Sequence, residues 1–106
     1  MEIYSANSNK NIVFFYEFLG TCLLVYAINL QYGEAFGVTG IAFMLFAMLL
    51  IGGPITGAHF NPAVTLGVYM SNQFWKDDFM MFLLMTSAQF SGAMFGILLT
   101  YCSLIN

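Results

Sequence analysis

Residues 52–70 read GGPITGAHFNPAVTLGVYM, and the fold turns on whether this stretch crosses a bilayer or dips into one and returns. Its first half is broken by Gly52, Gly53, Pro54 and Gly57. Unpaired amides facing hydrocarbon are costly, so irregular backbone at that depth must be buried in protein or line a wet cavity. The second half opens with Asn61-Pro62, a strong helix start. The asparagine oxygen can accept a hydrogen bond from a first-turn amide, and proline is pre-shaped for the first helical position. From Pro62 to Ser71 such a helix is about 15 Å long, half a membrane. Residues 52–71 are therefore predicted to enter the bilayer, turn near its middle at Asn61 and return as a half-helix to the side they came from. The alternative is a full-length span over 55–74, which would set His59, Asn61 and Pro62 in a lipid-exposed helix.

The rest of the chain has the composition of a membrane protein. Of 106 residues, 60% are hydrophobic and 7% charged, and the mean hydropathy is +0.83, so little is left for a water-facing surface. Residues 1–11 read as a polar tail. Residues 12–30 are apolar except for Glu17, Thr21 and Asn29 and reach about 28 Å as a helix, close to the hydrocarbon thickness. A turn at Gln31-Tyr32-Gly33-Glu34 precedes a second apolar span over 35–51. A third, over 79–102, is uncharged and long enough to cross with tilt. The predicted fold is an all-α membrane protein of three transmembrane helices plus one re-entrant half-helix, in a single unit over 1–106. Lys10 and Lys76 then fall on one side, which should be cytoplasmic together with the N-terminus. Tyr32, Trp75 and Tyr101 are expected as interfacial anchors, and Trp75, Lys76, Asp77 and Asp78 mark a water interface.

Several function classes fall away. The two cations, Lys10 and Lys76, stand alone and there is no arginine, so nucleic-acid binding is not expected. No nucleophile–base pair, phosphate cradle or metal cluster is legible, so neither catalysis nor a cofactor is expected. His59, the only histidine, lacks further ligands for a metal, and Cys22 and Cys102 read as small buried hydrophobes. Small residues at four-residue spacing, Ala88, Gly92 and Gly96 in the third span and Ala63, Gly67 and Ser71 in the half-helix, suit close helix packing. A half-helix ending at mid-depth would present free amides and the positive end of its dipole there. With its oxygen used by the cap, Asn61 keeps two N–H donors for a passing solute, while residues 56–60 can offer backbone carbonyls. That ladder suits water or small neutral molecules and disfavours cations and protons.

The segment Gly57-Ala58-His59-Phe60-Asn61-Pro62-Ala63-Val64-Thr65 resembles the first signature motif of the aquaporin, or major intrinsic protein, family. Tyr16-Glu17-Phe18-Leu19-Gly20-Thr21 resembles that family's first helix and Ala88-Gln89-Phe90-Ser91-Gly92-Ala93 its third, in the family's order. The resemblance implies pore contacts at Gly57, Ala58, His59, Asn61, Pro62 and Ala63, with the His59 carbonyl facing the pore. It also implies that Glu17 accepts hydrogen bonds from the re-entrant amides, the alternative being a carboxylate that snorkels to the near interface, and that Gln89 braces the same loop. The aromatic of the family's narrow filter falls near Ile41, with Phe43 close by, and the filter's arginine has no counterpart here. Family members join two inverted repeats into six helices, whereas this sequence, from Met1 to Asn106, holds one, as a natural half-channel or a truncated product would. The expected partners are the lipid bilayer and either a second copy or a complementary half-channel chain. The rival expectation is a non-transporting accessory subunit of a larger membrane assembly.

Overall fold

A computed structural model describes residues 9–31, 37–71 and 79–104. Within them the chain forms four helices and no strand: α1 (Lys10–Gln31), α2 (Gly37–Thr56), α3 (Pro62–Ser71) and α4 (Phe79–Leu104). The expected anchors Tyr32 and Trp75, the charged run 76–78 and most of the polar tail lie outside the described residues. Asn9 caps α1, its Oδ1 accepting the amides of Asn11 at 3.0 Å and Ile12 at 3.3 Å. Helices α1, α2 and α4 are each long and apolar enough to cross a membrane.

Helix α2 runs five residues beyond the expected end at 51, straight through Gly52, Gly53 and Pro54. Proline so close to a helix end removes one hydrogen bond, the one to the Leu50 carbonyl, and leaves the last turn intact. The Gly57 amide still reaches the Gly53 carbonyl at 2.9 Å. Between α2 and α3 the irregular backbone is thus confined to residues 57–61, and no continuous helix crosses 55–74. Helix α3 begins at Pro62 and ends at Ser71, ten residues in all.

Pairings along the helices fix their directions. Helices α1 and α4 run parallel and nearly touch. A Cβ built on Gly92 would strike the Phe18 carbonyl oxygen, one on Gly96 would lie 2.6 Å from that of Cys22, and Tyr26 Oη meets Ser103 Oγ at 2.9 Å further along. Helix α2 is antiparallel to α1, since Thr56 meets Glu17 while Met48 clusters with Leu23. Helix α3 runs against α4: Thr65 contacts Gln89, and one turn later Tyr69 stacks on Phe82 with ring centroids 4.7 Å apart. Val13, Val68 and Met81 share one apolar cluster, so the starts of α1 and α4 lie level with the later part of α3.

Depth follows from helix rise. Glu17 stands about 10 Å beyond the start of α1 and Gln89 about 15 Å beyond the start of α4. In a hydrocarbon layer about 30 Å thick, Glu17 then lies about a third of the way across and Gln89 about half-way. Helix α3 therefore starts at mid-depth and returns to the face from which α1 and α4 depart, the re-entrant path expected of a half-helix. The outer surface is apolar, with Val38, Phe43, Phe46, Leu50 and Met94 all more exposed than buried, as suits contact with lipid.

Candidate functional site

The turn between α2 and α3 is left-handed at three positions, Gly57 (φ 87°), Ala58 (φ 53°) and Phe60 (φ 52°). For the two residues with side chains this costs roughly 1–2 kcal/mol each. What the twisted backbone gains is a place for every amide. Gly57 donates to Gly53, Ala58 to Thr56 Oγ1 at 2.9 Å, His59 to Glu17 Oε1 at 3.1 Å and Phe60 to Glu17 Oε2 at 2.8 Å. Four successive N–H groups are drawn inward. Among the described residues the carbonyls of Gly57, Ala58 and Phe60 accept nothing, which leaves them available as acceptors.

Glu17 is fully buried. Besides the two amides its carboxylate accepts the Thr56 hydroxyl at 2.6 Å and Gln89 Nε2 at 2.8 Å, so four donors occupy its two oxygens. It does not snorkel to an interface. Gln89, also fully buried, donates from the same Nε2 to Thr65 Oγ1 at 2.7 Å, and His59 Nδ1 meets that hydroxyl at 3.0 Å. The amide orientation of Gln89 follows from this company, because the reverse would set its carbonyl oxygen against a carboxylate. As a consequence Gln89 Oε1 is buried with no hydrogen-bond partner among the described residues, as is Thr21 Oγ1.

At the tip, Asn61 Oδ1 accepts the Ala63 amide at 2.8 Å and the Asn61 carbonyl accepts the Thr65 amide at 3.0 Å. The asparagine is exposed, and its Nδ2 has no partner among the described residues. One polar end therefore closes the helix start while the other remains open beside the positive end of the α3 dipole. Pro62 is half-buried, Ala63 exposed, Gly57 half-buried, and Ala58 and His59 are buried.

Other residues singled out from sequence lie elsewhere. Ile41 is half-buried on α2, about 22 Å along the helix from Thr56, and does not join the tip. Gly67 is exposed, and a Cβ built there would meet nothing within 4 Å. Among the described residues no group of three His, Cys, Asp or Glu gathers as a metal site. Sequence reasoning overlooked Thr56 and Thr65 as braces and Phe60 as a buried side chain, although all three flank or lie within the motif. The only signal was a pair of hydroxyls in otherwise apolar surroundings.

Compared with protein families, residues 2–106 match the sequence model described as Major intrinsic protein, MIP. The chain belongs to the major intrinsic protein family. Neither a comparison with curated proteins nor one with solved structures gives a match. Membership, together with three apolar helices, makes this major intrinsic protein an integral membrane protein of the lipid bilayer. The family's proteins are channels for water or small solutes. The MIP match takes in Glu17 on α1 and Gln89 on α4, along with the turn between α2 and α3.

Proposed function

We propose that the chain forms one half of an aquaporin-like pore that passes water or small neutral solutes passively, completed by a second half-repeat. That second half comes from outside these 106 residues, either another copy in opposite orientation or a stretch of chain carrying the second repeat. The observation that carries this reading is Asn61, exposed at mid-depth with its oxygen committed to the cap and its Nδ2 free. The Asn61 amide donates to the solute, and the carbonyls of residues 57–60 accept from it in single file. Pro62 fixes the first φ of α3, and Ala63 presents a small side chain beside the path. Glu17 and Gln89 bind no solute: they hold the turn so that its carbonyls face outward. The dipole of α3 repels cations at the same point. Helix α2, with Ile41 near the filter, and the open surface at Gly67 receive the second half. The positive-inside rule favours a cytoplasmic N-terminus through Lys10, and a copy in opposite orientation inserts against that weak bias.

A second reading is favoured by one observation. These 106 residues contain no arginine, so a pore made only of copies would lack the fixed cation of the family's filter. On that reading the chain keeps the fold as an accessory subunit and carries nothing. Osmotic light scattering of liposomes containing the purified chain separates the two. A pore made of copies expects water permeability above that of empty vesicles, lost in Asn61→Asp, where a carboxylate replaces the amide donors. Permeability equal to that of empty vesicles, with wild type and Asn61→Asp alike, rules out a pore made of copies alone, and the same result after co-reconstitution with a chain carrying the second repeat favours the accessory role.

A further inference from the structure

The transport path described above leaves the Phe60 side chain unused, yet its ring is only 2% exposed although its neighbour Asn61 faces outward. The ring sits in a slot between α1 and α2. A Cβ built on Gly20 would lie 2.6 Å from Phe60 Cζ and would overlap Cδ1 and Cε1, while one on Gly52 would lie 3.0 Å from Cζ. Met48 and Ala58 close the slot, with Leu23 and Met44 packed around them. The width of the slot is therefore set by two missing side chains, one on each helix. Phe60 also holds a left-handed φ of 52°, which bulky residues rarely adopt and which persists only where the surroundings over-determine it.

We propose that Phe60 is a positioning residue, a wedge that fixes the height and rotation of Asn61 against α1 and α2, with Gly20 and Gly52 as its matched seat. The Glu17 bonds tie the backbone of the turn to α1 but make no contact with α2 beyond Thr56, so they restrain the rotation of the tip less sharply than a packed ring does. A ring in a close-packed slot responds to displacements smaller than one methylene. One residue thus carries two restraints, its amide on Glu17 Oε2 and its ring between two helices, immediately before the helix tip. The proposal rests on the channel reading only for its transport readout.

Ring and seat must match in size, which a double-substitution cycle tests. In a Cys22→Ala, Cys102→Ser background, Ala63→Cys reports the exposure of the first turn of α3 through its rate of modification by a water-soluble methanethiosulfonate. Water permeability is measured on separate vesicles of the same variants with Ala63 retained. Phe60→Ala and Gly20→Ala are each expected to change the labelling rate roughly tenfold and to abolish permeability, whereas Phe60→Leu stays within about threefold of wild type. Combined, Gly20→Ala and Phe60→Ala should change the rate by less than the product of their single effects, since the added methyl occupies space the ring has vacated. Should Gly20→Ala fail to fold, recovery of folded protein in the pair with Phe60→Ala supports the match, and no recovery refutes it. Labelling within about threefold of wild type in both single variants, or effects that simply multiply, overturns the proposal. Absent permeability in the Cys22→Ala, Cys102→Ser parent with Ala63 retained sinks the pore made of copies alone, and the labelling rates still decide the role of Phe60.

Discussion

Glu17→Gln replaces one carboxylate oxygen by NH2 at nearly constant volume and so tests the brace without opening a cavity. Four donors converge on the carboxylate, and an amide can accept on one side only. The less damaging orientation keeps the oxygen toward Phe60 and Gln89. The Thr56 hydroxyl can then turn to the Gly52 carbonyl, already 3.4 Å away, but the His59 amide faces a donor. An unsatisfied buried amide costs about 1–3 kcal/mol, and hydrogen bonds to a neutral acceptor are about 1 kcal/mol weaker than those to a charged one. The turn should therefore lose about 3 kcal/mol, close to two decades in a local opening equilibrium at about 1.4 kcal/mol per decade. Amide hydrogen exchange in lipid nanodiscs reads this directly. The His59 amide should exchange roughly 100-fold faster than in wild type and the Phe60 amide roughly 5-fold faster. His59 protection unchanged within about threefold would refute the view that the carboxylate holds the turn.

Thr65→Val keeps the shape of the side chain but removes the hydroxyl shared by Gln89 and His59. It should cost about 2 kcal/mol in denaturant unfolding, with Thr65→Ser close to wild type. Gly96→Val places side-chain carbon against the Cys22 carbonyl, a backbone atom that cannot move aside. Folded, monodisperse protein should be lost on size-exclusion chromatography, while Gly67→Val, at a glycine with open space around it, should leave the chain folded.

Local chemistry made α3 legible: the Asn61 oxygen, Pro62 and the length to Ser71 define a half-helix without any knowledge of its neighbours. The three spans were equally clear, because apolar runs of membrane length have few other readings. The end of α2 was not. Gly-Gly-Pro looks like a break, but Pro54 is near enough to the helix end to spoil one bond, and Gly52 is there to admit the Phe60 ring. The brace lies further still from anything a window of sequence can reveal. Glu17 and Gln89 are 72 residues apart, and only family resemblance linked them to one loop. Spacing gives no hint that Thr56 and Thr65 complete the set, since nothing local marks one hydroxyl as aimed at the buried Glu17 carboxylate and the other as meeting Gln89. For Phe60 the sequence suggests only a backbone carbonyl offered to a solute, and its burial follows from two glycines on different helices.

The central claim is that α3 starts at mid-depth and comes back to the face where α1 begins. Spin labels at Asn11→Cys and Ser71→Cys, with Cys22→Ala and Cys102→Ser and diluted into unlabelled protein in bilayers, measure this by double electron–electron resonance whatever the orientation of each copy. Val13, Val68 and Met81 share one cluster, so the two labels should lie on one face, well within the roughly 30 Å thickness of the hydrocarbon layer. A separation at or beyond that thickness, with Ser71→Cys instead close to a label at Leu104→Cys, would contradict it.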